Sequence, residues 1–486
     1  MVLGMGTARR IYKNTIYLGT AEIVSKILQF IVMLYAARLL SQEHFGKFSF
    51  ALSLSLIAIV LADLGINTLL IREISRNKSL AGKYFVNAFL IKVVLSIVTY
   101  FVIVAALNIL DYPQDTKNIV YIIWLFTILS TFTELFYSIF RAFEMMHYDA
   151  FLKILRMVLL TFAGLYALFK GYGVFLFSAA FVLVEFIVVL IASLIALTRF
   201  IKLKMIAIDF SFISSIFKKA LPFGLAFIFG SIYFYIGSIM LSKIKGDVEV
   251  AIYSVAYNFA LAVLFIPTVY TNAIYPVLSR YYKESKAGLR TLYEKSFKYL
   301  YIVGLPISVG LYLLAGRIIF LFYGDVYSDS IVALQIISWY LFLKFINFLL
   351  GTTLSSIDKQ GKRMLGQSLT AVFNVLLNIL LIPKIGYIGA AWSTFITEVF
   401  LFIIYYLYVS KSWYFYNFSS ILIKPVIAAV IMFLFIEFSN FGLILTITAS
   451  AVIYFSVILI LKTLDREDYS IIKKIFKPEN SKEFLD

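Results

Sequence analysis

Residues 178–194 read SAAFVLVEFIVVLIASL, and this stretch decides the class of fold. Its single charged residue is Glu185, in the middle of an otherwise apolar run. A helix of about 20 predominantly apolar residues crosses the hydrocarbon core of a bilayer. The stretch therefore predicts a membrane-spanning helix. A carboxylate inside such a helix is costly, and by default it indicates a functional site or a paired group.

The composition of the whole chain agrees with a membrane protein. The 486 residues are 62% hydrophobic and only 14% charged, whereas a soluble protein is about 25% charged. Cysteine is absent, and the two histidines, His44 and His147, are too few to favour a histidine-based metal centre. Basic cytoplasmic loops explain the net charge of +17 more simply than nucleic acid does, so we expect no nucleic-acid partner. The sequence has no Walker motif, so direct use of ATP is not expected, and we expect no cofactor.

Fourteen apolar segments are long enough to span a bilayer. They lie at about 15–40, 48–71, 84–109, 119–140, 151–169, 174–197, 221–241, 251–277, 299–322, 331–354, 365–382, 387–409, 421–438 and 443–461. Long continuous segments disfavour a β-barrel, whose strands would show about ten alternating residues each. We therefore predict an all-α integral membrane protein with fourteen transmembrane helices.

Basic residues mark alternate connections between these segments. Examples are REISRNK at 72–78 and RYYKESKAGLR at 280–290, while the connections on the other side are short and poor in Lys and Arg. The positive-inside rule places the basic side, and with it both termini, in the cytoplasm. The beginning of the chain lacks a signal-peptide pattern, so the first segment is interpreted as a retained span. We expect a multi-pass protein of the plasma membrane.

The two halves of the chain show an internal duplication. GVFLFSAAFVLVEF (173–186) aligns with GYIGAAWSTFITEV (386–399) at an offset of 213, which pairs Glu185 with Glu398 and, further back, Glu134 with Asn347. FSFALSL (48–54) resembles YSVAYNF (253–259) at an offset of 205. Repeats of six spans each enter the membrane from the same side, so they are predicted to be parallel, around a central cavity.

The duplication suggests five regions. These are an N-terminal lobe at 1–200, an amphipathic cytoplasmic linker at 201–220, a C-terminal lobe at 221–411, two additional spans at 412–462 and a charged cytoplasmic tail at 463–486. In the tail, DRED (465–468) is interpreted as solvated rather than as a metal site. The second repeat holds Pro222, Pro267, Pro276 and Pro306 within its spans, whereas the first repeat has no proline inside a span. Because proline bends helices, bends are expected there.

Three stretches resemble a known superfamily. They are ARLLSQEHFGKFSFALSL (37–54), LADLGINTLLIREISR (61–76) and NVLLNILLIPKIGYIGAAWSTFITE (374–398). Together with the six-plus-six-plus-two arrangement, they resemble the polysaccharide-transporter branch of the multidrug/oligosaccharidyl-lipid/polysaccharide exporter superfamily. The resemblance implies alternating access between two lobes and a lipid-linked oligosaccharide as substrate.

Charged and polar residues within the spans are the candidate site, because such residues usually face a cavity or a partner. The candidate phosphate-binding cations are Lys26, Lys92, Arg141, Lys153 and Arg156. The candidate acidic, polar or coupling residues are Glu22, Gln29, Asp63, Asn67, Glu134, Lys344 and Asn347. Glu22, Lys26 and Gln29 share one helical face by their spacing. The alternative is that Glu22 and Lys26 pair internally, and that Arg141, Lys153 and Arg156 mark the cytoplasmic edge of their spans.

The coupling ion is left open by the sequence. Asn374, Asn378 and Thr394 offer oxygen atoms that suit a sodium ion, and the resemblance implies a sodium site in this region. The related flippases use acidic residues there, whereas this chain has amides, so interhelical hydrogen bonds are the competing interpretation. A proton carried by Glu22, Asp63 or Glu134 is the other hypothesis.

These patterns favour a flippase for prenyl-phosphate- or prenyl-pyrophosphate-linked oligosaccharides, acting as a monomer among membrane lipids. The alternatives are a cation-coupled multidrug exporter, which would favour an acidic cavity, and a membrane-embedded glycosyltransferase or polymerase, which would need paired carboxylates in the outer loops. Because both repeats keep an acid at the position of Glu185, that residue is given a structural role. Substrate binding is assigned to charges confined to the first repeat, above all Lys26 and Lys92.

Overall fold

A computed structural model describes residues 5–201, 208–416, 419–465 and 468 of the chain. The regular structure of this described part is helical throughout, and no residue in it belongs to a strand. Twelve of its helices are long and apolar enough to cross a membrane. The prediction of an all-α membrane fold is therefore confirmed, while the number of fourteen crossings stays a prediction.

Fifteen α-helices form the described part of the chain. They are α1 (Met5–Leu39), α2 (Gln42–Asp63), α3 (Ile66–Arg76), α4 (Ala81–Ile109), α5 (Gln114–Ala142), α6 (Met146–Phe169), α7 (Gly173–Arg199), α8 (Phe210–Lys245), α9 (Asp247–Val263), α10 (Phe265–Glu284), α11 (Lys286–Tyr323), α12 (Ser330–Ser356), α13 (Gln360–Ser412), α14 (Ser419–Phe438) and α15 (Leu443–Ile460). Every predicted apolar segment overlaps one or two of these helices.

The second predicted segment is broken inside its apolar run. Leu64 (φ 45°) and Gly65 (φ 80°) both adopt left-handed backbone conformations between α2 and α3. Gly65 tolerates this conformation because it has no Cβ, and its N–H donates to Asp63 Oδ2 at 3.2 Å. Gly224 of α8 packs so closely on the Leu64 backbone that a Cβ would lie only 2.7 Å from its carbonyl. A bend in the first repeat was not expected from the sequence.

Two further breaks lie in the second predicted repeat. α9 and α10 are separate at Leu264, three residues before Pro267, whose nitrogen cannot donate a helical hydrogen bond. α13 departs from helical geometry at Ile385 and Gly386, so its two parts follow the predicted segments 365–382 and 387–409. Pro276 and Pro306 lie inside continuous helices. The bends expected in the second predicted repeat are present, and the first repeat contains one as well, at Leu64 and Gly65.

The described chain divides into two compact units. The first, here the cavity unit, comprises Lys13–Ala262 and Met364–Thr397. Within it α5 packs on α7, α7 on α6, and α2 on both α5 and α8. The second, here the groove unit, comprises Val263–Arg363, the described residues from Glu398 onward, and residues 5–12. Within it α11 packs on α12 and α14, and α14 packs on α15.

The predicted linker at 201–220 lies partly outside the described residues, at 202–207. From Phe210 onward it is the first part of α8 rather than a separate segment. Asp209 caps α8 by accepting the N–H of Phe212 at 2.9 Å, and it also pairs with Lys83 at 2.9 Å. The five predicted regions remain a prediction.

Candidate functional site

A cavity of about 290 Å³ lies in the cavity unit, with walls from α1, α2, α5, α6 and α7. Nine of its nineteen described lining residues are apolar, including Leu52 and Phe126, and the other ten are polar or charged. Six of the predicted site residues line the same cavity: Glu22, Lys26, Gln29, Glu134, Lys153 and Arg156. A few convergent polar groups in an apolar pocket are typical of a ligand site.

The polar face of α1 has the geometry that its spacing predicts. Glu22, Lys26 and Gln29 all reach the cavity wall, and Lys26 Nζ lies 3.5 Å from Gln29 Oε1. Ser25, which the sequence did not single out, lines the same wall. The first helix therefore contributes a cation, a carboxylate and an amide to one cavity.

Opposite α1, the charges of α5 and α6 form a network. Arg141 Nε donates to Asp149 Oδ2 at 2.6 Å, and its Nη2 lies 3.3 Å from Glu134 Oε2. Asp149 also pairs with Lys153 at 3.4 Å. Sequence reasoning missed Asp149, although its position four residues before Lys153 at the start of a helix is the signature of such a pair. The arrangement holds Arg141 and Lys153 through one buried carboxylate.

Glu185, on α7, belongs to the same region and is fully buried. Its Oε1 accepts a hydrogen bond from Thr133 Oγ1 at 2.6 Å, and its Oε2 lies 3.7 Å from Nη1 of Arg156. Arg156 lines the cavity. Glu185, the acid in the middle of residues 178–194, is therefore linked to the cavity by its ion pair with Arg156. The lone carboxylate predicted from the sequence is paired with a cavity cation.

Lys92 and Asp63 form a site of their own. Lys92 is fully buried, its Nζ lies 2.7 Å from Asp63 Oδ1, and it donates to the Thr131 carbonyl at 3.0 Å. The described cavity wall includes neither residue, and it does not include Asn67. The geometry therefore separates Lys92 from Lys26, with which the sequence had grouped it.

Lys344 and Asn347, on α12 of the groove unit, both bind Glu398. Lys344 Nζ lies 3.2 Å from Glu398 Oε2, and Asn347 Nδ2 donates to Glu398 Oε1 at 2.7 Å. Glu398 is fully buried, and Lys344 and Asn347 are nearly so. These three side chains form a buried group, here called the closed position, and none of them lines the described cavity.

The residues considered for a sodium ion are joined by hydrogen bonds. Asn378 Nδ2 donates to Asn374 Oδ1 at 2.9 Å, and Asn374 Nδ2 donates to Thr397 Oγ1 at 3.0 Å. Thr394 Oγ1 lies 2.9 Å from the Tyr253 hydroxyl. The described residues contain no group of three His, Cys, Asp or Glu able to hold a metal ion. The bonds of Asn374 to Thr397 and of Thr394 to Tyr253 join different predicted spans, as the hydrogen-bond interpretation expects, whereas Asn378 bonds within its own span. The coupling ion stays a prediction.

An apolar groove of about 360 Å³ runs along α11, α14 and α15 in the groove unit. Pro306 and Gly310 of α11 form one wall, and Met432, Ile447 and Phe455 form the other. Ser450 is the single polar side chain among its described lining. The groove has the chemistry to accept a hydrocarbon chain.

The start of the charged tail is docked on α11. Asp468 is buried and binds Lys295 at 3.0 Å, Lys298 and the Tyr299 hydroxyl, while Asp465 pairs with Lys295 at 3.1 Å. Burial raises the pKa of Asp468, but the hydrogen bonds from Lys298 and Tyr299 outweigh it and hold the pKa well below the usual range. The expectation that Asp465–Asp468 is solvated was wrong for Asp468.

Known proteins share both sequence and fold with this chain. Residues 11–282 match the model of the polysaccharide biosynthesis protein family, and residues 222–380 match the MatE family model. The capsular polysaccharide biosynthesis protein CapF of Staphylococcus aureus is 24% identical over 413 residues, which cover 82% of this chain and 99% of that protein. An uncharacterized membrane protein of Methanocaldococcus jannaschii is 26% identical over 374 residues, 72% of each chain.

Two solved structures show the shared fold. The lipid II flippase MurJ in an inward closed conformation matches with a TM-score of 0.74 at 16% identity, covering 91% of this chain and 98% of that one. A multidrug resistance MATE family transporter in an inward-facing conformation matches with a TM-score of 0.67 at 16% identity, covering 80% and 95%. At this identity the likeness concerns the fold alone.

Proposed function

Since the chain belongs to the polysaccharide biosynthesis protein family, within the multidrug/oligosaccharidyl-lipid/polysaccharide exporter superfamily, we propose that it is a flippase for lipid-linked oligosaccharides. Its substrate is an oligosaccharide joined to a prenyl chain through a phosphate or pyrophosphate. The protein moves this substrate from the cytoplasmic to the outer leaflet of the plasma membrane, for polysaccharide or cell-envelope synthesis. Its fourteen spans form two parallel lobes and two added helices, with both termini in the cytoplasm.

One observation carries this proposal. Lys26, Lys153 and Arg156 converge on a single cavity, whose other described lining residues are nine apolar residues, five neutral polar residues and the two carboxylates Glu22 and Glu134. Cations in a desolvated cavity bind a phosphate oxygen strongly, and a guanidinium adds directional hydrogen bonds. Gln29 and Glu22 on the same wall have the hydrogen-bonding groups that sugar hydroxyls require.

The prenyl chain needs a different surface. The apolar groove of α11, α14 and α15 matches a hydrocarbon chain in polarity, as the surrounding lipid tails do, so a prenyl chain can enter it from the bilayer by packing contacts. We assign the groove to the prenyl tail. The oligosaccharide, which is hydrophilic, belongs to the polar cavity.

Transport by this route uses alternating access and one functional chain. The coupling ion is sodium at Asn374, Asn378 and Thr394, or a proton on Glu22, Asp63 or Glu134. Proteoliposomes loaded with a sodium or a proton gradient distinguish the two, because only the coupling gradient accelerates translocation. Retention of full activity in the absence of both gradients would indicate uncoupled transport.

A second function, cation-coupled drug export, is favoured by two observations. Residues 222–380 match the MatE family model, and Glu22 and Glu134 present carboxylates to the cavity. The deciding experiment compares two substrates in the same proteoliposomes. A flippase moves a prenyl-pyrophosphate-linked oligosaccharide, whereas a drug exporter moves a cationic dye and leaves the lipid in place.

A further inference from the structure

The charges of α5, α6 and α7 beside the cavity are balanced. Three cations, Arg141, Lys153 and Arg156, are paired with three carboxylates, which are Glu134, Asp149 and Glu185. A phosphate that approaches these cations must therefore compete with carboxylates that the protein itself supplies. One of the three carboxylates must therefore release its cation before a phosphate can bind there.

The three carboxylates differ in how firmly they are held. Asp149 is fully buried and bridges Arg141 and Lys153, and Glu185 is fully buried and accepts the Thr133 hydroxyl. The side chain of Glu134 is 33% exposed, and its oxygen lies 3.3 Å from Arg141, compared with 2.6 Å for Asp149. Removing the partner of a buried carboxylate is strongly unfavourable, whereas an exposed one regains solvent. Glu134 is the carboxylate that can leave.

Displacement of Glu134 would also make a cation accessible from the cavity. Glu134 lines the cavity, whereas Arg141 lies seven residues, or about two turns, further along α5 and is absent from the described cavity wall. Arg141 keeps its Nε on Asp149 while its Nη2 faces Glu134. If Glu134 moves aside, Nη2 becomes available to an oxygen that arrives from the cavity, and Asp149 still fixes the guanidinium.

We propose that Glu134 is a displaceable counter-ion, which occupies Arg141 until a phosphate of the substrate replaces it. This inference rests on the proposed flippase function and names its specificity determinant. A phosphate or pyrophosphate competes with a carboxylate for the guanidinium, since both offer oxygens in a matching geometry. A neutral or cationic head group has no such oxygen pair, so Arg141 stays paired with Glu134. Glu134 thus selects for anionic substrates without contacting them.

The test measures binding to the purified full-length protein in lipid nanodiscs. The probes are farnesyl pyrophosphate, a short prenyl pyrophosphate, and farnesol, which has the same chain without phosphate. Glu134→Gln removes the competing charge, so it binds farnesyl pyrophosphate about tenfold more tightly than the wild type, in keeping with the loss of one charge-assisted hydrogen bond. Its affinity for farnesol is unchanged. Adding Arg141→Gln abolishes the gain.

Glu22→Gln is the matched control, because it removes the same charge from the same cavity wall. Its affinity for farnesyl pyrophosphate rises by less than about threefold if the effect of Glu134 acts through Arg141. An equal gain in Glu22→Gln means that only the total cavity charge matters, and overturns the proposal. If Glu134→Gln lowers the unfolding temperature too far for binding measurements, Glu134→Ala is used with the same expected gain.

The outcomes separate this inference from the proposed function. Unchanged or weaker pyrophosphate binding in both Glu134 variants, with wild-type binding and lipid translocation intact, rejects the counter-ion and leaves the flippase standing. Absence of both pyrophosphate binding and lipid translocation in the wild type rejects the two together.

Discussion

Glu185 and Glu398 stand at matching positions of the two predicted repeats, and both are fully buried. Each accepts a hydrogen bond from the helix that holds the fourth predicted span of its repeat. The donor is Thr133 of α5 for Glu185, and Asn347 of α12 for Glu398. The two acids therefore make the same kind of contact between helices.

Their cations differ. Lys344 comes from the same helix as Asn347, is itself buried, and lies 3.2 Å from Glu398. Arg156 comes from a third helix, α6, lies 3.7 Å from Glu185, and lines the cavity. Both acids join two helices, but of their two cations only Arg156 lines the described cavity. The following predictions test this difference.

The largest effect, on the free energy of unfolding, is expected at the closed position of Glu398 and Lys344. Lys344→Met leaves Glu398 buried without its cation, which lowers the free energy of unfolding by about 3–5 kcal/mol. Denaturant unfolding in detergent measures this loss. The double variant Lys344→Met, Glu398→Gln removes both charges and restores most of the stability. A loss below about 1 kcal/mol in the single variant would show that the pair is not closed.

At the position of Glu185, whose cation lines the cavity, replacing the cation is expected to reduce transport as well as stability. Arg156→Gln keeps a hydrogen-bond donor near Glu185 but removes the cavity cation, so translocation in proteoliposomes falls by about tenfold or more. The free energy of unfolding drops by about 2–3 kcal/mol, because Glu185 is fully buried and loses its cation. The loss is smaller than at Lys344, since the pair is longer, at 3.7 Å, and Arg156 is itself partly exposed. Wild-type transport by Arg156→Gln would contradict the assignment of this cation to the substrate.

Lys26 and Lys92 differ in the same way, since one lines the cavity and the other is buried in an ion pair, and smaller effects are expected from their substitution. Lys26→Gln reduces translocation about threefold while the unfolding temperature stays near that of the wild type, since Lys26 lies at the cavity wall. Lys92→Gln lowers the unfolding temperature because it leaves Asp63 without its cation. Equal changes of stability in the two variants would show that burial does not separate them.

The smallest effect concerns Asp468, a paired carboxylate outside the spans. Its pKa lies below that of a free aspartate, about 3.9, so its stabilising contribution is complete above that pH and is lost as the pH falls through the folded pKa. Limited proteolysis of the tail at pH 7 and, with an acid-active protease, from pH 4 down to pH 2 measures its release. In Asp468→Asn the tail is already more sensitive at pH 7, and the dependence on pH is weaker. A tail equally protected in both proteins at pH 7 would rule out this role.

The sequence was sufficient to predict the positions of the helices, because apolar length alone determines a span. The shared face of Glu22, Lys26 and Gln29 followed from helical periodicity in the same way. The break at Leu64 and Gly65 was missed, since proline was used as the signal for a bend and the sequence there offers only glycine. Tertiary contact with Gly224 stabilises that break, and such a contact is not local in sequence.

The partners of the charges were the least predictable part of the site. Lys92 and Lys26 look alike in sequence, yet one pairs with Asp63 and the other faces a cavity. Asp149 escaped attention because it precedes its apolar segment, although it holds Arg141 and Lys153. Which residues pair across helices depends on helix rotation and depth, and one sequence does not specify either.

The pair of Lys92 and Asp63 also has a consequence for biosynthesis. A lysine at the centre of a span raises the free energy of membrane insertion by roughly 2.5–3.5 kcal/mol, and α4 meets this penalty when it leaves the ribosome alone. Asp63 precedes Lys92 by a single helical hairpin, so its carboxylate is already in the membrane when α4 arrives. The two charges can neutralise each other before the later helices exist, and α2–α4 are therefore expected to enter the bilayer as one assembly step.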